Sequence, residues 1–229
     1  MEGEEETWMG PSKVFAISDD SRMPGVRGWL HVPEDPSGDG LVLTHGAGSN
    51  CGSALLVGMA DMFAGSGLTV LRCDLAFRQA RPHGPPGRGS AERDQEGLRY
   101  AVEAIKKETA GRVFLGGHSY GGRQASMLAA MEPEIASGLL LLSYPLHPPK
   151  KPEQIRTAHF PMLRTPACFV QGSRDGMGTI AEMREALKLI AGRTELLIVE
   201  GAGHELITAR TVNKVTSDVV TAFDHFFGR

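Results

Sequence analysis

Short apolar runs recur along the chain, and within most of them apolar and polar residues do not alternate. Continuous runs of five or six apolar residues that end in glycine or polar residues are typical of parallel strands covered on both faces. The pattern therefore predicts a largely parallel sheet. The runs are LVLTH (41–45), LTVLRC (68–73), RVFLGG (112–117), GLLLLS (138–143), ACFVQG (167–172) and ELLIVE (195–200).

The beginning of the chain has a different pattern. KVFAIS (13–18) and VRGWLHVP (26–33) are separated only by a short segment that contains proline and glycine. Two strand-like runs joined by a short turn are typical of an antiparallel pair. We therefore expect two antiparallel strands before the parallel sheet.

Helical periodicity fills several of the intervening segments. Apolar residues recur every three or four positions in 98–105, 180–190 and 212–226, and residues 120–131 are apolar on nearly every side. The helix over 120–131 should therefore be the most buried. Strands that alternate with helices predict one α/β domain of about eight strands over residues 13–229.

Composition places the chain among ordinary globular proteins. It has 229 residues and a formal net charge of -3, with 41% hydrophobic and 22% charged residues. Four of the 27 acidic residues are Glu2, Glu4, Glu5 and Glu6, so residues 13–229 carry 24 basic against 23 acidic residues, or +1. We expect residues 1–12 to form a flexible acidic tail. A body this close to neutral argues against nucleic acid as a partner.

Two further absences narrow the location of the protein. No apolar run approaches the roughly 20 residues of a spanning helix, so no membrane partner is expected. Three cysteines are too few, and odd in number, for a disulfide framework; Cys73 and Cys168 lie inside apolar runs and are predicted to be buried. A reducing cytoplasm fits this usage. The oligomeric state stays open.

Gly117-His118-Ser119-Tyr120-Gly121 matches the pattern G-x-S-x-G. The pattern alone is weak, but here a predicted strand precedes it and a predicted helix follows it, as a nucleophile elbow requires. A structural serine in a glycine-rich turn is the alternative. The context favours Ser119 as a nucleophile.

A serine hydroxyl needs a base that is oriented by a carboxylate. Asp175 follows the ACFVQG run and is the only aspartate between Ser119 and His204, which follows the ELLIVE run. All three therefore come just after the carboxyl end of a strand, where open α/β sheets bind ligands. Glu200 is the only serious substitute for Asp175.

Acyl transfer also needs donors for the developing oxyanion. The amide of Tyr120 follows the candidate nucleophile directly. The amide of Ala47, in the segment His45-Gly46-Ala47-Gly48, is the second candidate, because adjacent glycines let the backbone approach a ligand. His45 is expected to support this loop rather than to act as a base.

The HGAG, GHSYGG, GSRD and GAGH segments together make the chain resemble the α/β-hydrolase superfamily over residues 13–229. More narrowly, DLAFRQARPHGPP and GHSYGGRQASMLAA resemble a bacterial branch of dienelactone-hydrolase-like proteins. That branch is related to a testis-expressed hydrolase-like protein and to a chromatin acetyltransferase subunit. The resemblance implies an α/β-hydrolase fold and an intact triad, but no particular substrate, and some relatives act as binding proteins.

Two loops offer candidate substrate contacts. Arg78 and Arg81 belong to a basic segment that follows the LTVLRC run. Its arginines form either a solvated charge run or a clamp for a substrate carboxylate. His147 lies in the proline-rich stretch 144–166 and is a further candidate. Arg123, in a predicted buried helix, is expected to pair with Asp74.

These features together predict a serine esterase that cleaves a small carboxylic ester or lactone. The chain implies no cofactor, and its eight histidines have no metal-ligand spacing. The stretch 144–166 is too short for a multi-helix lid, so no cap domain is expected. A thioesterase or peptidase would use the same residues, and a non-enzymatic interaction domain is the alternative from a different class.

Overall fold

The computed structural model of this protein describes residues 12–229. The predicted acidic tail lies almost wholly outside the described residues. Within them, eight strands form one sheet, and each predicted strand is present. The strands are β1 (Lys13–Asp19), β2 (Val26–Val32), β3 (Gly40–Thr44), β4 (Thr69–Cys73), β5 (Val113–His118), β6 (Gly138–Leu142), β7 (Ala167–Gly172) and β8 (Thr194–Val199).

The strand order is β1-β2-β4-β3-β5-β6-β7-β8. Strand β2 pairs antiparallel with both β1 and β4, and all pairs from β4 to β8 are parallel. The antiparallel opening and the parallel body are thus confirmed. Because the parallel strands share a direction, their carboxyl ends meet at one edge of the sheet.

In the part of the chain that the structure describes, six α-helices cover the sheet on both sides. Helices α3 and α4 pack on one face, while α1 and α6 pack against each other on the opposite face. The helices are α1 (Ala54–Gly65), α2 (Ala76–Ala80), α3 (Ser90–Ile105), α4 (Tyr120–Met131), α5 (Ile180–Leu187) and α6 (Val212–Phe227).

Alternation along the central strands explains the two hydrophobic cores. Leu139 and Leu141 of β6 belong to the core on the α3–α4 side, whereas Leu140 and Leu142 belong to the core under α1 and α6. Successive residues of a strand point to opposite faces, so an unbroken apolar run supplies both cores. Eight of the twelve residues of α4 are buried, the largest share of any helix, as its all-round apolarity predicted.

The segments that follow β4 and β6 each contain one short helix. The basic segment after β4 contains α2, a helix of five residues that is too short to show periodicity in the sequence. Between β6 and β7 the structure has only a three-residue 3₁₀ helix, Phe160–Met162. The fold is therefore an α/β-hydrolase fold, and residues 12–229 include no cap domain.

Cys51, Cys73 and Cys168 are free and buried. Burial raises the pKa of the Cys168 thiol to about 12, so this side chain behaves as a small apolar group. None of the helices within residues 12–229 has the length and apolarity to cross a membrane.

Candidate active site

Ser119 lies in a sharp turn between β5 and α4. Its backbone has φ 52° and ψ −116°, a region that residues with a Cβ rarely adopt. The Ser119 amide donates to the carbonyl oxygen of Leu142, at 2.8 Å, which ties the turn to β6. Backbone strain of this kind concentrates at functional sites, where the surrounding structure holds it in place.

The turn is crowded, and glycines relieve the crowding. A Cβ on Gly121 would lie 2.5 Å from the carbonyl oxygen of His45, and one on Gly122 would lie 2.6 Å from that of Gly117. Both distances are far below van der Waals contact. Only glycine fits at these two positions.

His204 and Asp175 meet Ser119 at the carboxyl edge of the sheet. The distance between His204 Nε2 and Ser119 Oγ is 2.8 Å, and the distance between His204 Nδ1 and Asp175 Oδ2 is also 2.8 Å. In the tautomer that satisfies both contacts, Nδ1–H donates to the carboxylate and Nε2 accepts the proton of the hydroxyl. Asp175, rather than Glu200, is the carboxylate that holds the imidazole.

Three donors orient the buried carboxylate of Asp175. Gln171 Nε2 donates to Oδ2 at 3.0 Å, the Met177 amide donates to Oδ1 at 2.8 Å, and His204 supplies the third bond. Gln171 also donates to the carbonyl oxygen of Gly178, at 3.0 Å. No sequence motif pointed to Gln171. Its only signal was a polar residue at the end of an apolar run.

His118 also supports the base. Its Nε2 lies 2.9 Å from the carbonyl oxygen of His204, and the ring centroids of the two histidines are 5.2 Å apart. Burial is the main cause that lowers the pKa of His118, so its ring is neutral near neutral pH and its Nε2–H donates to that carbonyl. His118 therefore holds the backbone of the base. No sequence motif indicated this role for His118.

The segment His45–Gly48 lies against the elbow. A Cβ on Gly46 would be 3.4 Å from Ser119 Cβ, so this loop passes beside the candidate nucleophile. His45 Nδ1 lies 2.8 Å from the carbonyl oxygen of Gly46, and the Leu75 amide donates to His45 Nε2 at 3.1 Å. Burial lowers the pKa of His45. The neutral His45 ring, held by one hydrogen bond at each nitrogen, supports the loop, which is the role expected from the sequence.

The two candidate oxyanion donors flank this loop and the elbow. Tyr120 begins α4, where main-chain amides have no partner within the helix. Within residues 12–229, neither the Tyr120 amide nor the Ala47 amide donates a hydrogen bond. Tyr120 is further fixed through its hydroxyl, which donates to Asp94 Oδ2 at 2.8 Å. Burial raises the pKa of Asp94.

The candidate substrate contacts Arg78, Arg81 and His147 each bond to a main-chain oxygen. The guanidinium of Arg78 is buried and donates to four main-chain oxygens, and Arg81 donates to the carbonyl oxygen of Pro85, at 2.8 Å. The guanidinium nitrogens of Arg78, which a substrate carboxylate would need as donors, therefore already donate to main-chain oxygens of the surrounding loops. His147 is buried, with Nδ1 2.9 Å from the carbonyl oxygen of Pro148.

The pairing predicted between Arg123 and Asp74 is wrong. Asp74 accepts a hydrogen bond from the Cys51 amide at 2.7 Å. It lies at the end of β4, while α4 packs on β5 and β6, on the other side of β3. Within residues 12–229, Asp74 Oδ1 also lies 3.4 Å from His45 Nε2, and no ion pair includes Arg123.

Comparison with known proteins identifies the family. A protein family described as "Alpha/beta hydrolase domain" matches residues 38–226, which is most of the chain. The chain belongs to the alpha/beta hydrolase family.

Solved structures share this alpha/beta hydrolase fold at low sequence identity. The dienelactone hydrolase from Anabaena variabilis ATCC 29413 has a TM-score of 0.72 and 21% identity, covering 95% of this chain and 99% of that chain. Est1E from Butyrivibrio proteoclasticus has a TM-score of 0.72 and 16% identity, and the match covers 93% of this chain and 99% of Est1E. XC6422 from Xanthomonas campestris, an a/b serine hydrolase without lid, has a TM-score of 0.72 and 14% identity. The match covers 94% of this chain and 96% of XC6422. The resemblance to dienelactone hydrolases is thus confirmed for the fold, and the narrower bacterial branch stays a prediction.

Proposed function

We propose that this protein is a serine hydrolase that cleaves a small carboxylic ester or lactone through an acyl-enzyme intermediate. The observation that carries the proposal is the continuous chain of hydrogen bonds from Ser119 Oγ through His204 to Asp175, with 2.8 Å at each step. Nucleophile, base and orienting carboxylate in this order are the parts that acyl transfer requires.

In the first half of the reaction, Ser119 Oγ attacks the substrate carbonyl carbon while His204 Nε2 takes the hydroxyl proton. Asp175 stays ionised and stabilises the imidazolium. The amides of Ala47 and Tyr120 bind the oxyanion, and each well-aimed donor lowers the barrier by about 3 kcal/mol. His204 then gives its proton to the leaving oxygen, and the alcohol departs.

In the second half, His204 removes a proton from water, and the resulting hydroxide attacks the acyl carbon. The tetrahedral intermediate collapses, the proton returns from His204 to Ser119 Oγ, and the carboxylic acid leaves. Every proton in the cycle passes through His204 Nε2. The chain's own residues carry each step, so the proposal needs no cofactor.

The access to the site supports small substrates. Ser119 is only 8% exposed, and the segment between β6 and β7 carries no cap helices within the described residues. We therefore expect turnover of short-chain esters to exceed that of long-chain esters.

Labelling with a fluorophosphonate probe tests the proposal directly. The wild-type protein should be labelled and should hydrolyse a short-chain 4-nitrophenyl ester. Ser119→Ala should abolish labelling and lower kcat by about 10⁴-fold or more, because the nucleophile is removed. Ser217→Ala, which changes an exposed serine of α6, is the matched control and should behave as wild type.

Folded wild-type protein that is neither labelled nor active would contradict the proposal and favour an interaction domain. A panel of matched ester, thioester and peptide anilide substrates then separates the related chemistries. We expect the highest kcat/KM for the ester. A thioester or anilide preferred over the ester would reassign the reaction while leaving the three residues in their roles.

A further inference from the structure

Strand β1 forms one end of the sheet, and its outer edge is open. Among residues 12–229, β1 pairs only with β2. Six of its seven residues are exposed, and only Ile17 is half-buried. The exposed residues include Val14, at 43%, and Phe15, at 51%. A long edge strand with apolar side chains and unpaired main-chain groups is a template for a further strand.

The hydrogen bonds of β2 show which residues of β1 face the open edge. The Asp74 amide donates to the carbonyl oxygen of Arg27, at 2.9 Å, so Arg27 is hydrogen-bonded toward β4. Because the main-chain groups of successive residues in a strand point to opposite sides, the even-numbered residues of β2 face β1. The register pairs them with the odd-numbered residues of β1. Val14, Ala16 and Ser18 therefore direct their N–H and C=O groups to the open edge.

The sequence of β1 is complementary to itself in one antiparallel register. When two copies pair about Ala16, Lys13 lies opposite Asp19 of the second copy, and Phe15 lies opposite its Ile17. All residues of the strand then have a partner. The three edge-facing residues oppose one another, as the hydrogen-bonded pairs of an antiparallel ladder require. Charge, apolar side chains and main-chain direction thus agree on the same register.

Two kinds of side-chain contact favour this pairing. Lys13 and Asp19 carry opposite charges at directly opposed positions, and a symmetric dimer contains this pair twice. Phe15 lies opposite Leu30 of β2, which belongs to the core on the α3 side, and Ile17 packs against the same core. Each Phe15 therefore covers the Ile17 of the other copy and extends that core across the interface.

The other end of the sheet lacks this complementarity. Strand β8 has Leu196 and Leu197 at its centre. Self-pairing about Leu196 places Glu195 opposite Leu197, and self-pairing about Leu197 places Glu195 opposite Val199. Neither register opposes a positive to a negative charge. Charge complementarity therefore distinguishes the edge at β1 from the edge at β8.

We infer that the outer edge of β1 is a dimerisation surface, and that its occupant is β1 of a second copy of this chain. The two sheets join about a two-fold axis at Ala16 into one continuous sheet. Val14, Ala16 and Ser18 exchange main-chain hydrogen bonds with the second copy. Strands β2, β4 and β3 separate this edge from β5, which precedes Ser119, so each copy keeps its own site. The inference does not rest on the proposed function.

Sedimentation velocity of the whole chain tests the interface. The wild-type protein should sediment as a species of twice 24.6 kDa, and the dimer fraction should fall on dilution. Lys13→Glu places a carboxylate opposite Asp19, and Asp19→Lys places an ammonium opposite Lys13. Each variant should raise the dimer Kd about tenfold or more, because two attractive pairs become repulsive.

An equimolar mixture of these two variants separates pairing from local damage. In a mixed dimer, positions 13 and 19 again oppose opposite charges, so the mixture should dimerise with Kd within about threefold of wild type. The two positions lie at opposite ends of one strand, so no contact within a single chain explains such a recovery. Lys151→Glu, the same charge change at an exposed position between β6 and β7, is the control and should leave Kd unchanged.

Cross-linking tests the register. In the proposed dimer Ala16 opposes itself with Cα atoms about 5.5 Å apart, within disulfide range, and the native cysteines are buried. Mild oxidation should therefore cross-link Ala16→Cys but not Ser18→Cys, which opposes Val14. Ala16→Pro removes only an edge-facing N–H and should give a monomer. A wild type that stays monomeric at every concentration, or a dimer that survives both charge variants and fails to cross-link at position 16, would overturn the proposal.

Discussion

At the scale of single residues, Arg78 shows how contacts decide the role of a charged side chain. Its Nε donates to the carbonyl oxygen of Ser49 at 2.7 Å, and one terminal nitrogen donates to those of Ala47 at 3.0 Å and Gly84 at 3.1 Å. The guanidinium thus joins the loop of the candidate oxyanion donor to the loop after α2. Arg78 is a positioning residue in this arrangement.

Replacing Arg78 should therefore slow charged and neutral esters alike. We expect Arg78→Met to lower kcat about 10-fold to 100-fold for an ester with a free carboxylate and for its carboxamide analogue, because the Ala47 loop loses its support. Arg78→Lys should recover little, since one ammonium cannot reach carbonyl oxygens on both loops. Steady-state kcat and KM for both substrates provide the measurement.

Arg88→Met is the control for this prediction, because Arg88 is exposed in the same segment. It should change neither constant. A loss confined to KM of the acidic ester in Arg78→Met would contradict the positioning role and return the residue to the substrate clamp suggested by the sequence.

At the scale of elements, the turn between β5 and α4 depends on close backbone approach. Gly117 and Gly121 lie in contact with the end of β3: a Cβ on Gly117 would be 2.8 Å from the carbonyl oxygen of Thr44. The neighbouring elements β3 and β6 therefore hold the strained backbone of Ser119 in place. Side chains at these glycines would separate the elbow from β3.

Gly121→Ala tests this packing. The new Cβ would lie 2.5 Å from the carbonyl oxygen of His45, and backbone atoms cannot yield cheaply. We expect the free energy of unfolding to fall by about 2 to 4 kcal/mol, together with loss of fluorophosphonate labelling in the folded fraction. Urea denaturation gives the first quantity.

Gly176→Ala serves as the comparison, because nothing lies within 4 Å of a Cβ there and its φ is not positive. It should change the free energy of unfolding by less than about 0.5 kcal/mol. Equal effects of the two substitutions would show that the elbow does not depend on the missing Cβ.

At the scale of the whole molecule, buried histidines link stability to pH. Burial is the first cause that lowers the pKa of His31, His45, His118 and His159. Below pH 6.5 the unfolded chain therefore binds more protons at these positions than the folded protein does. Since stability then falls as pH falls, these groups destabilise the protein in acid.

For His159 the window extends from about pH 6.5 down to about pH 4, its pKa in the folded protein. We expect the free energy of unfolding, measured with urea at several pH values, to decrease across this window. His159→Gln should reduce that slope, because glutamine keeps a donor toward Ser126 but does not titrate. The raised pKa of Asp94 acts in the opposite direction and is common to both proteins.

His83→Gln, at an exposed position, should leave the slope as in the wild type. A slope that His159→Gln does not change would contradict the assignment of this titration to His159. Both variants also need the same unfolding midpoint at pH 7.5 to within a small shift, so that the comparison concerns protonation alone.

The sequence by itself determined the strands, the elbow and the catalytic candidates. Unbroken apolar runs can only be buried on both faces, and the order Ser119, Asp175, His204 after three such runs places those residues at one edge of the sheet. Local patterns of this kind depend on neighbours along the chain. They can therefore be identified from the sequence before the fold is known.

Only the tertiary structure decided which charged and polar side chains meet. Gln171 and His118 orient the triad, Arg78 bonds to the loops rather than standing free, and Asp74 accepts from the Cys51 amide instead of pairing with Arg123. The physical reason is that a long polar side chain reaches across elements far apart in sequence. Its partner depends on strand order and packing, which no local pattern records.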